Sequence, residues 1–144
     1  MIGAIGTNAV RVGGTAHRFT VPRNDIAPRL ARGLLRDALA QWNLLDLYGD
    51  AAVMLSELTT NVHLHTNADV RSMDVIFLRL RFALYVAVVD GDERCPEIGE
   101  LPFAADDAVC GRGWTIIRRT AVSCGFIRNK EKGGKTAWFK MRRP

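Results

Sequence analysis

Glu57 and Asn61 are four residues apart and form the first pair in this sequence with a spacing suited to chemistry. Side chains four positions apart lie on one face of a helix. A carboxylate and an amide held together there can bind a hydrated Mg²⁺ ion, or orient a hydroxyl for attack on a phosphate. The same spacing is common on exposed helix faces, so the pair alone favours an ordinary solvent-facing position.

Asp90 is a second candidate, because it ends an apolar run, residues 83–89, and is followed by Gly91-Asp92. A carboxylate at the end of a buried strand can accept a hydrogen bond from the amino group of an adenine base. The alternative is an aspartate that only forms a turn, which is common at such positions.

Two glycine-containing segments complete the set of candidates. Gly111, Arg112 and Gly113 precede an apolar periodic stretch, and glycines at a helix start let backbone N–H groups approach a phosphate, with the arginine as a further contact. Later in the chain, Thr136 follows a Gly-Gly-Lys turn and can hydrogen-bond a base or a bridging water. Taken alone, Thr136 is better explained as a strand-forming residue after a hairpin turn.

The elements that must position these residues follow from periodicity and turn signals. Ile26, Leu30 and Leu34 repeat every fourth residue, which predicts a helix with Asn24 or Asp25 as its cap. A second helix is predicted from Asp50 to about residue 65. The remaining predictions, in chain order, are strands at 16–22, 73–81 and 83–90, a long loop at 91–110, a helix at 111–123 and a hairpin formed by 126–128 and 136–141.

This order of elements predicts an α+β two-layer sandwich, with a mixed, mostly antiparallel sheet covered by helices on one face. With 144 residues, one domain at 16–144 is expected, preceded by a loose tail at 1–15. A hydrophobic content of 48% with 24% charged residues excludes a disordered chain.

The net charge of +5 favours acidic partners, which include nucleotides, nucleic acids and acidic protein surfaces. Arg29, Arg32 and Arg36 share one side of the first helix, as either a solvated face or a docking face for an acidic partner. No apolar run approaches the ~20 residues of a membrane span, and the N-terminus does not resemble a secretory signal, so a cytoplasmic protein is expected. The histidines and cysteines match no zinc-binding spacing.

In combination, the four motifs resemble the nucleotide-binding signature of the GHKL ATPases, the superfamily of gyrase, mismatch-repair and histidine-kinase ATP domains. The similarity extends from residue 19 to residue 141. It is closest to the short anti-sigma-factor serine/threonine kinases, which consist of this domain alone. The matching segments are Glu57–Asn61 with His65-Thr66 for the N box, 90–96 for a shortened first glycine box, 111–117 for the second glycine box and 134–139 for the closing strand.

The resemblance implies the Bergerat ATP-binding fold, with ATP and Mg²⁺ as cofactors. Glu57 would be the general base that activates a serine hydroxyl, and Asn61 the Mg²⁺ ligand. Asp90 would bind the adenine amino group with support from Thr136, while 111–113 would form the phosphate lid. Members of this group bind a sigma factor, phosphorylate a STAS-type anti-anti-sigma factor on serine, and are usually homodimers.

Two other functions remain open. Val62, His63 and Asp92 differ from the residues that the family usually carries, which suggests a module that sequesters a protein partner without phosphoryl transfer. The charge of +5 also allows a nucleic-acid-binding regulator. The absence of a recognition motif for nucleic acid in the sequence disfavours that third function.

Overall fold

The computed structural model describes the backbone of residues 9–11, 15–65, 69–91, 109–128 and 134–144, and the side chains of 15–63, 69–91, 115–128 and 134–144. The elements in chain order are β1 (Ala9–Arg11), β2 (Ala16–Pro22), α1 (Ala27–Gln41), a 3₁₀ turn (Leu45–Leu47), α2 (Tyr48–His65), β3 (Ser72–Arg79), β4 (Ala83–Asp90), α3 (Val109–Thr120), β5 (Ser123–Arg128) and β6 (Lys135–Arg142).

The described strands form one sheet in the order β1-β2-β3-β4-β6-β5, and every neighbouring pair is antiparallel. The prediction of an α+β fold is therefore confirmed, but the prediction of a mixed sheet is wrong for these strands. The reason is that α1 and α2 together return the chain to the end of the sheet where β2 stopped. β3 therefore starts beside the end of β2 and runs in the opposite direction.

One face of the sheet packs against the helices. Strand residues alternate between the two faces. Those on one face, which include Val75, Val86 and Phe139, form a single buried cluster with residues of the helices. In the helical layer, α1 contacts β2 and β3, α2 contacts β4 and β6, and α3 contacts α2 and β5. The predicted covering of one face by helices is thus observed, with α2 in the centre of the layer.

The ends of α1 differ from the predicted caps. Ile26 is the N-cap residue and has no side-chain capping bond, while Asn24 accepts a hydrogen bond from the Ile26 N–H at 3.1 Å. Asn24 therefore forms the turn before the helix and does not cap it. At the other end, Asn43 adopts φ = 57° and the Leu44 N–H donates to the Leu39 carbonyl at 2.8 Å, so the helix ends in a left-handed residue.

The predicted tail is wrong at Ala9–Arg11, which form β1 and pair with residues 17–19 of β2. This pairing satisfies backbone groups of β2 that an edge position would leave unpaired. The predicted loop at 91–110 is too long, because Val109 and Cys110 already belong to α3. Residues 92–108 lie outside the described residues. Of the helices in the described ranges, none is long and apolar enough to cross a membrane.

Candidate functional site

Asp90 ends β4 with its side chain on the face of the sheet that the helices cover. Leu84, Val86 and Val88 belong to the buried core on that face, and Asp90 continues the same alternation. The Asp90 side chain is only 1% exposed. A carboxylate buried to this extent needs a charge partner or hydrogen bonds, because burial removes its hydration.

Lys135, the first residue of β6, provides a charge partner for this carboxylate. It lies directly opposite Asp90 in the antiparallel register, and its Nζ donates to Asp90 Oδ1 at 3.2 Å. The Lys135 side chain is 14% exposed, so the ion pair is largely removed from water. Such a pair is held by mutual attraction in a medium of low polarity, and removing one partner leaves a buried charge uncompensated.

Gly134 fixes the geometry of this pair. Its φ of 88° is a conformation that residues with side chains rarely adopt, and an added Cβ would overlap the carbonyl oxygen of Asp90 and lie 3.0 Å from Cα of Gly91. Only glycine allows β6 to begin this close to the end of β4. The close approach holds Lys135 beside the Asp90 carboxylate.

The C-terminal end of α2 lies at the same end of the sheet. Arg23, just after β2, donates from Nε to the Val62 carbonyl at 3.2 Å and from Nη2 to the His63 carbonyl at 2.9 Å. Its Nη1 donates to the Val70 carbonyl at 3.1 Å. Val62 and His63 belong to the last turn of α2, where backbone carbonyls lack helical partners. The guanidinium therefore ties the end of α2 to the segment that leads into β3.

The strand register connects this end of α2 with Asp90. Val21 pairs with Met73, and Asp74 pairs with Val89, so Asp90 is level with the end of β2. Arg23 follows β2 directly and contacts α2 at that level. Asn61, next to Val62, and Asp90 therefore lie at one end of the sheet and on the same side of it.

Glu57 and Asn61 lie beside the buried face of α2, and both are half-buried. Successive residues in a helix are rotated by about 100° about its axis. Relative to the buried face of α2, this rotation puts Glu57 and Asn61 on the flank that faces α3, away from α1. Ser56 marks the other flank, because Arg32 Nη1 of α1 donates to its Oγ at 2.9 Å. Among the described residues, neither Glu57 nor Asn61 has a side-chain hydrogen-bond partner.

The N-terminal end of α3 also approaches this end of the sheet. Its 12 residues extend about 18 Å, and the six residues of β5 extend about 20 Å. The chain reverses between them, where the Val122 N–H donates to the Lys140 carbonyl at 2.8 Å. The start of α3 is therefore at the level of Arg128, the β5 residue that pairs with Lys135.

The backbone of Gly111, Arg112 and Gly113 lies within α3, which begins at Val109. The helix was predicted to begin at Gly111 and begins two residues earlier, so the two glycines are its third and fifth residues. The first residues of a helix carry N–H groups without helical partners, and the helix dipole is positive there. Gly111 and Arg112 thus remain candidates for an anion contact through the backbone.

Thr136 is not brought together with Asp90. It pairs with Val89, and these two residues share the face of the sheet opposite to the helices. Ala137, Phe139 and Met141, which alternate with it, are the core residues of β6. The predicted support of Asp90 by Thr136 is therefore replaced by a contact from the preceding residue, Lys135.

The arginines of α1 are partly engaged within the protein. Arg32 binds Ser56 as described above, and the Arg36 guanidinium lies 5.9 Å from the ring centroid of Tyr48. Arg29 is exposed. The basic side of α1 therefore combines internal contacts with a free cationic position.

Sequence reasoning missed Lys135 and Arg23 as members of this site. Lys135 belongs to segment 134–139, which was assigned to the closing strand from the sequence. Because residues two apart in a strand share a face, the core residue Ala137 would have placed Lys135 on the face of Asp90. Arg23 had no such signal, because its role depends on the distance between two elements that are far apart in the sequence.

The polar groups at this end of the sheet are of the types that bind a purine nucleotide with Mg²⁺. Asp90 offers a buried acceptor and Lys135 a donor for a base, while Asn61 and Glu57 offer oxygens of the type that Mg²⁺ prefers. Within the described residues, no cluster of three or more His, Cys, Asp or Glu side chains is arranged to hold a metal by itself.

Comparison with models of known protein families gives no match, and comparison with curated proteins gives no similar sequence either.

Proposed function

We propose that this chain is an ATP-binding regulatory protein with a GHKL-type fold, which acts as an anti-sigma factor and serine kinase. The observation that carries the proposal is the position of Asp90 and Asn61 at one end of the sheet and on its helix-covered side. A base acceptor and a metal ligand must face one cleft to bind one nucleotide. The start of α3 at the same end supports the proposal by offering backbone N–H groups to phosphate.

Each residue has a distinct role in this proposal. Asp90 accepts a hydrogen bond from the adenine amino group, and the Asn61 side-chain oxygen holds the Mg²⁺ that accompanies the phosphates. Glu57 takes the proton from a serine hydroxyl while that oxygen bonds to the γ-phosphorus and ADP leaves. Bound ATP supplies the phosphoryl group and Mg²⁺ neutralises its charge.

The proposed partners are proteins. A sigma factor would be sequestered, and a STAS-type anti-anti-sigma factor would be the serine substrate, with the active species a homodimer. The net charge of +5 and exposed Arg29 favour an acidic surface on a partner. These assignments rest on the resemblance of the motifs, together with the grouping of Asp90, Asn61 and Glu57.

Isothermal titration calorimetry tests this proposal, with and without Mg²⁺. Wild-type protein should bind Mg-ATP with micromolar to millimolar affinity, and Asn61→Ala should remove most of the effect of Mg²⁺. Glu57→Gln should retain binding and lose phosphoserine formation on the protein substrate, measured in a separate assay, because only the proton acceptor is changed. Asp50→Asn, at the start of the same helix, is the matched control and should change neither. Absence of binding heat with wild-type protein at millimolar Mg-ATP would contradict the proposal.

A second candidate function is a sequestering module that transfers no phosphate. The Lys135–Asp90 ion pair favours it, because the carboxylate proposed to bind the base already has a cationic partner. This module would retain the basic surface and the partner, and its Glu57 would be dispensable. Mg-ATP binding together with phosphoserine formation that requires Glu57 would exclude it.

A further inference from the structure

We propose that the end of the molecule opposite Asp90 binds an anionic lipid surface. This far end consists of the connections between α1 and α2 (42–47), β3 and β4 (80–82) and α3 and β5 (121–122), together with residues 143–144 after β6. The eight residues of β4 begin here and end at Asp90, so about 25 Å of strand separates this surface from the proposed nucleotide site. Lipid binding goes beyond the proposed function and does not depend on it.

Each of these three connections exposes an apolar side chain. Phe82 at the tip of the β3–β4 hairpin is 72% exposed and Val122 before β5 is 70% exposed, the two largest values among the large apolar residues that the structure describes. Leu45 between α1 and α2 is 47% exposed. A single exposed apolar residue is ordinary on a protein surface, but a group of them at one end indicates a contact with an apolar phase.

Arginine side chains accompany the apolar ones on the side of the sheet and α3. Six of them lie in the far end or in the helix and strand residues that adjoin it: Arg79, Arg81, Arg118, Arg119, Arg142 and Arg143. The acids Asp46 and Asp50 lie on the helical side, next to Leu45 and in the first turn of α2. Positive charge is therefore concentrated around Phe82 and Val122, where it favours an anionic surface.

The β3–β4 hairpin presents Phe82 in a fixed position. The Leu80 N–H donates to the Ala83 carbonyl at 2.8 Å, which closes the turn. Arg143 donates from its backbone N–H to the Phe82 carbonyl at 3.2 Å and from Nη1 to the Leu80 carbonyl at 3.1 Å. The Arg81 guanidinium lies 5.2 Å from the centroid of the Phe82 ring. A ring held in this way can enter the headgroup region with a cation already beside it, and little order is lost on binding.

A lipid surface fits the far end better than a nucleic acid or a protein does. Leu45 and Val122 are aliphatic and offer no ring on which a base can stack. A protein partner would need a separate pocket for each protruding side chain, whereas a bilayer accepts apolar groups at any position. Anionic headgroups also supply the phosphate oxygens that guanidinium groups bind. Contact of this kind lies on the lipid surface and requires no membrane-spanning helix.

Sedimentation with lipid vesicles, using the full chain without nucleotide, tests this surface. Vesicles with about one third phosphatidylglycerol should bind wild-type protein at least about tenfold more tightly than vesicles of phosphatidylcholine alone. Phe82→Ser should weaken binding to the anionic vesicles about tenfold, and Arg81→Gln about fivefold. Ile127→Ser and Arg71→Gln are the matched controls, because both residues are exposed at the Asp90 end of the sheet. Both controls should stay within about twofold of wild type.

Tryptophan fluorescence tests whether the hairpin tip enters the lipid. The emission added by Phe82→Trp should move to shorter wavelength with the anionic vesicles and should be quenched by brominated lipid. Wild-type protein, which contains three tryptophans, provides the reference signal. Ile127→Trp, at the other end of the sheet, should show neither change.

Three results would overturn the inference. They are no binding of wild-type protein to anionic vesicles, equal binding of Phe82→Ser and wild type, and no spectral change of Phe82→Trp on bound vesicles. Retention by duplex DNA or polyglutamate without vesicle binding would assign the far end to a nucleic acid or an acidic protein instead. Because nucleotide is absent, failure here leaves the proposed function standing, and absence of Mg-ATP binding leaves this inference standing.

Discussion

Gly134 approaches the carbonyl oxygen of Asp90 so closely that no side chain fits at position 134. Its positive φ of 88° adds a second reason for glycine, because residues with a Cβ are strained in that conformation. The contact joins the end of β4 to the start of β6, and it is the means by which Lys135 is held beside Asp90.

We therefore expect Gly134→Ala to lower the free energy of unfolding by about 2 kcal/mol or more, through backbone strain and overlap. Gly33→Ala is the matched control. Gly33 lies inside α1 with nothing near its missing Cβ, so alanine there should stabilise the protein by roughly 0.5–1 kcal/mol. Urea denaturation of the two variants measures both effects. Equal effects of the two substitutions on the free energy of unfolding would contradict the close approach of Gly134 to Asp90.

Arg23→Met should destabilise the protein because three backbone carbonyls lose a charged donor. The expected loss is about 3 kcal/mol, since each hydrogen bond to a charged group contributes about 1.5–3 kcal/mol and the three are not additive. Arg143→Met is the comparison, because Arg143 Nη1 donates to the Leu80 carbonyl alone. That variant should lose about 1 kcal/mol or less, because this bond is exposed to water and the Arg23 bonds are partly buried.

The two arginine variants should also differ in nucleotide binding. Arg23 holds the end of α2 that carries Asn61, so its loss should weaken Mg-ATP binding at temperatures where the variant is folded. Arg143 lies beside Phe82, at the far end of the sheet, and its loss should leave binding unchanged. Equal affinities in both variants would show that Arg23 does not position the site.

Burial raises the pKa of Tyr85 above its ordinary value of 10.0. The phenol is the weaker acid in the folded protein, so between the two pKa values the folded state holds more protons than the unfolded state. Stability from this group is complete below pH 10.0 and is lost as the pH rises through the raised pKa. Tyr85→Phe should remove this loss.

The chain has two tyrosines, which makes the titration of Tyr85 measurable by phenolate absorbance. The change that Tyr85→Phe removes from the titration curve should have its midpoint above 10.0. A midpoint at or below that value would contradict the partial burial of the ring, which packs beside Trp138 with centroids 5.9 Å apart.

The elements of this fold were largely predictable because their signals are local. The extents of β4 and α2 follow from the apolar pattern, and both were predicted within two residues of their observed ends. Leu34 and Leu35 face the core as the helical period predicts, whereas Ile26 is 48% exposed because it precedes the helix as its N-cap. Helix ends depend on single backbone conformations, which the pattern does not encode.

The grouping of the site was predictable only in part. The motif order suggested that Glu57, Asn61 and Asp90 belong to one site. The strand register places Asp90 at the end of the sheet where α2 ends. Lys135 contacts Asp90 where Thr136 was expected to, because neighbouring strand residues lie on opposite faces. A one-residue difference in the predicted position therefore reverses the face. The Arg23 contacts depend on tertiary distance and had no signal in the sequence.

The most direct test of a purine-nucleotide site at Asp90 and Asn61 is the melting temperature with and without millimolar Mg-ATP. At a concentration of about 100 times Kd, the ligand should stabilise the wild-type protein by about 2.7 kcal/mol, or roughly 5–10 °C for a domain of this size. Asp90→Asn should abolish the shift. Asp74→Asn should retain it, because Asp74 lies on the opposite face of the sheet and binds Arg18 and Thr20. A wild-type melting temperature that does not change with Mg-ATP, or an equal shift in Asp90→Asn, would contradict the account.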